Sequence, residues 1–235
     1  MIFSAVTDIG KKRSSNQDSC HVGGNWCVVA DGMGGHNGGK VASQTAVEVI
    51  TKFIESEGGS EAENCESLLR RAIAAANAEI FAMSLSDPTL DGMGTTAVLC
   101  RFTEGMATVA HAGDSRAYLI GAEGIVQITH DHSIVQQLIE SGTITPLEAK
   151  THPHKNLITR AIGTELHIEV DLTEIAVKKG DRILLCTDGL TAFLADDEIE
   201  DVIRKHDIDT AAAELVSRAN DAGGADNITV VIAEI

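Results

Sequence analysis

The chain has 235 residues, 43% of them hydrophobic but only 3% aromatic, and it carries 18 basic against 35 acidic side chains, a net charge of −17. That supplies enough Ala, Val, Ile and Leu for the core of one large mixed fold, and more apolar material than a disordered chain holds. A surface this anionic repels nucleic acid and acidic lipid, which excludes both as partners.

In chain order, β-branched content and glycine punctuation predict strands at 2–8 and 26–30. A helix follows over 40–55, with Val41, Thr45, Val49 and Phe53 along one face, then a polar loop over 55–66. A second helix covers 67–83, where Leu69, Ala72, Ile73, Ala76 and Ile80 form an apolar stripe. Strands are expected at 95–103, 106–111, 116–120 and 125–129, then a helix at 133–141 and strands at 168–176 and 181–186. Helices at 197–205 and 210–221 precede a last strand at 228–233. Short gaps such as Glu104-Gly105 and Lys179-Gly180 join neighbouring strands as hairpins, so the sheets are antiparallel. The order lacks βαβα alternation, and the fold class is α+β. With three prolines, no repeat and no linker-like tract, residues 1–235 read as a single domain.

The five cysteines are odd in number and form no C-x-x-C pair, so they read as small buried hydrophobes in a reducing compartment. No apolar run approaches the roughly 18 residues of a membrane span, and Met1-Ile2-Phe3-Ser4 opens without a basic leader. The expected location is the cytoplasm.

Four aspartates stand at the edges of apolar strands. Asp31 follows Cys27-Val28-Val29-Ala30 and opens Asp31-Gly32-Met33-Gly34-Gly35-His36. Asp114 follows Ala112-Gly113, Asp188 follows Leu184-Leu185-Cys186-Thr187, and Asp226 precedes the final strand. Any one of them is explained as a turn former beside glycine. Four together suggest a second reading, in which strand ends converge and a cation offsets the repulsion between carboxylates. An all-oxygen set without a Cys/His cluster selects Mg²⁺ or Mn²⁺ over zinc, and the glycine at position 32 lets a backbone carbonyl approach closely. Near the N-terminus, Arg13 and Asp18 add one phosphate-gripping cation and one more carboxylate.

Read in order, these segments resemble the protein phosphatase 2C family in its compact bacterial form. The matching residues are Asp8-Ile9-Gly10 with Arg13 and Asn16-Gln17-Asp18, Asp31-Gly32-Met33-Gly34-Gly35-His36, and Gly94-Thr95-Thr96-Ala97. They continue with His111-Ala112-Gly113-Asp114-Ser115-Arg116, Asp131-His132-Ser133 and Thr159-Arg160-Ala161-Ile162-Gly163. Leu185-Cys186-Thr187-Asp188-Gly189-Leu190 and Asp226-Asn227-Ile228-Thr229 complete the set, which runs almost end to end.

The resemblance implies a four-layer αββα sandwich of two antiparallel sheets flanked by helix pairs. It implies two Mn²⁺ or Mg²⁺ ions that activate water against phosphoserine and phosphothreonine. Asp31 would bridge them, Asp188 and Asp226 would complete one, and the Gly32 carbonyl with Asp18 would hold the other. Asp114 with Asp188 would match a third, weaker metal site, and Arg13 would bind the substrate phosphate. Where many eukaryotic members carry a His as general acid, this chain has Met33, which has no proton to give; a metal-bound water and His36 are the candidate substitutes. Residues 142–157 correspond to a flap. The implied partners are phosphorylated proteins, a Ser/Thr kinase and its substrates among them, with a monomer as the expected state. A silent binding module on the same fold would have lost ligands that are all present here.

Overall fold

The computed structural model describes residues 1–35, 37–57 and 64–235. Its elements run β1 (Ile2–Asp8), β2 (Asp18–Gly23), β3 (Trp26–Met33), α1 (Gly38–Glu57) and α2 (Cys65–Ser86). There follow β4 (Gly94–Thr95), β5 (Ala97–Thr103), β6 (Met106–Ala112), β7 (Arg116–Gly121), β8 (Gly124–Gln127), α3 (Ile134–Glu140) and α4 (Pro146–Ala149). The chain closes with β9 (Asp171–Ala176), β10 (Arg182–Cys186), α5 (Asp188–Thr191), α6 (Asp196–Lys205), α7 (Ile208–Asp221) and β11 (Ile228–Glu234).

The strands form two antiparallel sheets. One has the order β1-β11-β10-β7-β8; the other is β2-β3-β5-β6-β9, with β4 paired to β3. Because side chains alternate across a strand, the inner strands feed two cores. On β3, Cys27 and Val29 point into the space between the sheets, while Trp26 and Val28 point the other way, toward α1 and α2. On β10 and β11, Ile183, Leu185, Val231 and Ala233 join the inter-sheet core, and Leu184, Cys186, Val230 and Ile232 pack on the α6 and α7 side. Strands buried on both faces explain the continuous apolar runs in the sequence. The result is the αββα layering that the resemblance implied.

Several boundaries differ from expectation. The strand expected over 95–103 is broken at Thr96, whose N–H turns to donate to the Asp31 carbonyl at 2.9 Å. β2 was not anticipated at all. α1 buries Ala42, Ala46, Ile50 and Ile54, so the expected stripe of Val41, Val49 and Phe53 lies on its half-buried flank. Small residues at 42 and 46 are what let that helix settle close on the sheet. The expected loop over 55–66 is entered from both ends by α1 and α2; residues 58–63 fall outside the described set. The stripe predicted for the second helix is buried as expected. All five cysteines are free thiols, three of them buried. Among the described residues no helix is long and apolar enough to cross a membrane.

Candidate active site

The sandwich brings the sequence-predicted aspartates to one end. Asp18 and Asp31 face each other across the β2–β3 pair, contributed by one sheet. In the other sheet Cys186 is opposite both Arg116 and Val230, which places Asp188, Asp114 and Asp226 just beyond three neighbouring strand ends. Asp31 feels the charges of Asp18, Asp188, Asp114 and Asp226 and is the electrostatic centre of the set. His36 lies outside the described residues.

The backbone at Asp31 is held from two sides. Its N–H donates to Thr96 Oγ1 at 3.0 Å, and its carbonyl accepts from Thr95 Oγ1 at 2.8 Å. Gly32 is required by packing as well: a Cβ there would sit 2.0 Å from the Gly39 carbonyl oxygen at the start of α1. Gly32→Ala is therefore expected to cost about 3 kcal/mol or more of folding stability, visible as a lower urea midpoint with an unchanged slope.

Asp18 is buried, and its Oδ2 accepts from Thr229 Oγ1 at 2.7 Å and Thr187 Oγ1 at 2.9 Å. Since Thr229 donates there, the 2.8 Å contact between Thr7 Oγ1 and Thr229 Oγ1 has Thr7 as donor, and Asn16 Nδ2 in turn donates to Thr7. The other oxygen, Asp18 Oδ1, is buried without a hydrogen-bond partner among the described residues, as is Asp188 Oδ1. Burial, then repulsion from Asp188 and Asp226, pushes Asp18 up to about 7 against the two threonine hydrogen bonds. Burial and then Asp188 and Asp131 push Asp114 up to about 8; burial and then Asp226 push Asp188 up to about 6. Asp31 is driven well above the carboxylate range by burial and its four neighbours.

Orphaned anionic oxygens in a crowded, desolvated pocket are costly by themselves and are matched by a hard cation. The donor set therefore fits divalent metal ions.

Asp226 is already engaged, its Oδ1 by the Asn227 N–H and its Oδ2 by Arg13 at 2.7 Å. Arg13 thus rests on the carboxylate cluster, and this contact raises its pKa. Asn227 organises the loop that carries Arg13, accepting from the Gln17 N–H and donating to the carbonyls of Ile9 and Ser15. The supporting roles of Thr95, Thr96, Thr187, Thr229 and Asn227 depend on partners distant in sequence, which their motifs alone do not reveal. Met33 lines a groove of about 680 Å³ shared with Gln137, Thr159, Arg160, Thr164 and Glu165.

Comparison with known proteins shows a family likeness along nearly the whole chain. The family model described as protein phosphatase 2C matches residues 10–230. The Serine/threonine phosphatase stp of Listeria monocytogenes is 38% identical over 235 residues, covering 97% of this chain and 93% of that protein. The crystal structure of the Mycobacterium tuberculosis serine/threonine phosphatase PstP/Ppp superposes with a TM-score of 0.93 at 37% identity, over 100% of this chain and 98% of that one. The PstP catalytic domain in complex with 2 manganese ions gives a TM-score of 0.91 at 36% identity, over 99% and 97%. With the family model spanning most of the chain and relatives above 30% identity along nearly all of it, the chain belongs to the protein phosphatase 2C family.

Proposed function

We propose that this chain is a metal-dependent phosphatase that hydrolyses phosphoserine and phosphothreonine in proteins. The observation that carries the reading is the convergence of five aspartates from both sheets on one crowded, partly buried cluster, with two buried carboxylate oxygens left without partners among the described residues. Asp31 would sit between two Mn²⁺ or Mg²⁺ ions, with Asp188 and Asp226 on one and Asp18 and the Gly32 carbonyl on the other. Asp114 with Asp188 would serve a third. When bound, such ions supply Lewis-acid charge and a water of lowered pKa.

The chain's own residues do the rest. Arg13 is fixed by Asp226 through one of its N–H groups, and the guanidinium fork has donors left for phosphoryl oxygens as charge spreads in the transition state. The threonine hydroxyls on Asp18 hold that carboxylate in one orientation. Met33 borders the groove beside the cluster and neither gives nor takes a proton, so proton delivery to the leaving oxygen belongs to another group. Residues 142–157 act as a flap on the same catalytic domain, which spans the chain. The esters removed are those made by Ser/Thr kinases, so such a kinase and its substrates are the proposed partners.

The test is phosphate release from a phosphothreonine peptide by metal-stripped protein, with Mn²⁺ or with EDTA. Release is expected only with Mn²⁺; a well-folded protein that stays inert with metal would overturn the reading.

A further inference from the structure

Outside the carboxylate cluster, the described residues bring together one other set of metal-type donors, His111, His132 and Asp171, with ligand atoms within 4.8 Å of one another. The hydrogen bonds argue against an ion there. The Gly113 N–H donates to His132 Nδ1 at 3.0 Å, so a neutral ring carries its proton on Nε2. That proton faces Asp171 Oδ2 at 3.2 Å. A cation on Nε2 would force the proton onto Nδ1, against another N–H. Arg160 also points NH1 at Asp171 Oδ1, at 2.6 Å, and this NH1 lies 3.0 Å from His132 Nε2, filling the site with positive charge. With the proton on Nε2, the approach of Arg160 NH1 to that nitrogen is a contact between two donors and not a hydrogen bond, and both donate to Asp171, NH1 to Oδ1 and Nε2 to Oδ2.

What the set does is grip a turn. The His132 backbone N–H donates to the Gly113 carbonyl at 3.0 Å, while the ring accepts from the Gly113 N–H, so both backbone polar groups of Gly113 are taken by one residue. Gly113 has φ +114, and a Cβ there would lie 2.5 Å from Thr96 Cγ2, so this turn has no side chain of its own to fix it. On the far side of Asp114, Ser115 Oγ bonds Thr96 Oγ1 at 2.7 Å. The His132 ring itself is prevented from turning. His111 stacks on it with centroids 4.7 Å apart and planes 10° from parallel, Asp171 holds Nε2, and Arg160 holds Asp171.

We infer that His132 is a positioning residue whose ring, as the Nε2–H tautomer, orients the Gly113–Asp114 turn so that the Asp114 carboxylate is presented to a metal ion. This rests on the proposed metal-dependent reading. The role depends on an acceptor at the Nδ1 position, not on the ring as such. Asn places its Oδ1 near that position; Gln reaches toward Asp171 instead and leaves the Gly113 N–H without its acceptor.

The experiment is isothermal titration of metal-stripped wild type, Asp114→Asn, His132→Asn and His132→Gln with MnCl₂. Asp114→Asn is expected to remove the weakest Mn²⁺ event. His132→Gln should weaken that same event by about tenfold or more, the usual scale for loss of an outer-shell partner, while the tighter events hold; His132→Asn should stay close to wild type. Equal weakening in Gln and Asn, or no weakening in Gln, overturns the role of His132. An unchanged Mn²⁺ stoichiometry in Asp114→Asn overturns the metal reading of Asp114 and His132's role with it. Should the Gln variant not fold, long-range ¹H–¹⁵N spectra of the wild-type imidazoles decide: an Nε2–H tautomer at His132 supports the inference, and an Nδ1–H tautomer defeats it.

Discussion

Asp31→Asn is expected to lower kcat/KM on a phosphothreonine peptide by at least about 10³-fold in saturating Mn²⁺, while raising the melting temperature of the metal-free protein. The two effects have opposite sign because they share one cause. Asp31 is the carboxylate that faces Asp18, Asp188, Asp114 and Asp226 together. An amide of the same size relieves that repulsion but removes the central anionic ligand. The backbone at this position is held by Thr95 and Thr96 through main-chain atoms, so the substitution does not loosen the strand end. Steady-state kinetics and calorimetry on the same preparation measure both quantities. A variant that keeps activity within tenfold of wild type, or melts lower without metal, would sink the account of Asp31.

The second large effect concerns pH. In the metal-free protein Asp18 is held at about 7, Asp114 at about 8 and Asp188 at about 6, with Asp31 higher than the ordinary range. The unfolded chain releases the same protons near 4. Between about pH 4 and 8 the folded state therefore binds protons that the unfolded state has lost, so stability falls as pH rises through that window. In EDTA the melting temperature should drop by about 5 °C or more from pH 5 to pH 8. With Mn²⁺ the carboxylates are wanted in their charged form, and binding strengthens as protons leave. The gap between the Mn²⁺ and EDTA melting curves should widen toward pH 8. An EDTA curve that is flat or rising over this range would contradict the crowding described here.

The sequence revealed the parts of the fold that are apolar on both faces. β10 and β11 were readable because Ile183-Leu184-Leu185-Cys186 and Ile228 through Ala233 feed two cores at once. β2 was not, since it lies at a sheet edge and Cys20 and Val22 alone turn to the inter-sheet core, with Asp18 at one end and Gly23 at the other. α4 had a signal that went unused: Thr145-Pro146-Leu147-Glu148 is a capping box with proline at the first turn. At the site, the aspartates were legible one by one from their place at strand ends. Their supports were not. Thr187 and Thr229 reach Asp18 across 169 and 211 residues of chain, and a hydroxyl in a strand carries no local mark of such a partner. Arg13 was expected to wait for phosphate; its grip on Asp226 is a tertiary fact of the same kind.

The pairing of β1 with β11 has a consequence for synthesis of the protein. Asp18 is made about 200 residues before Asp226, and Asp18 takes one of its two hydroxyl donors from Thr229 in β11. β11 is also the central partner that joins β1 to β10, so the first sheet cannot close before it arrives. A ribosome carrying the nascent chain therefore displays a half-built sandwich with β1 unpaired and the carboxylates apart. Metal capture and phosphatase action begin only after β11 has left the exit tunnel. Stalled chains ending before residue 226 should neither retain Mn²⁺ nor release phosphate, however long they are held.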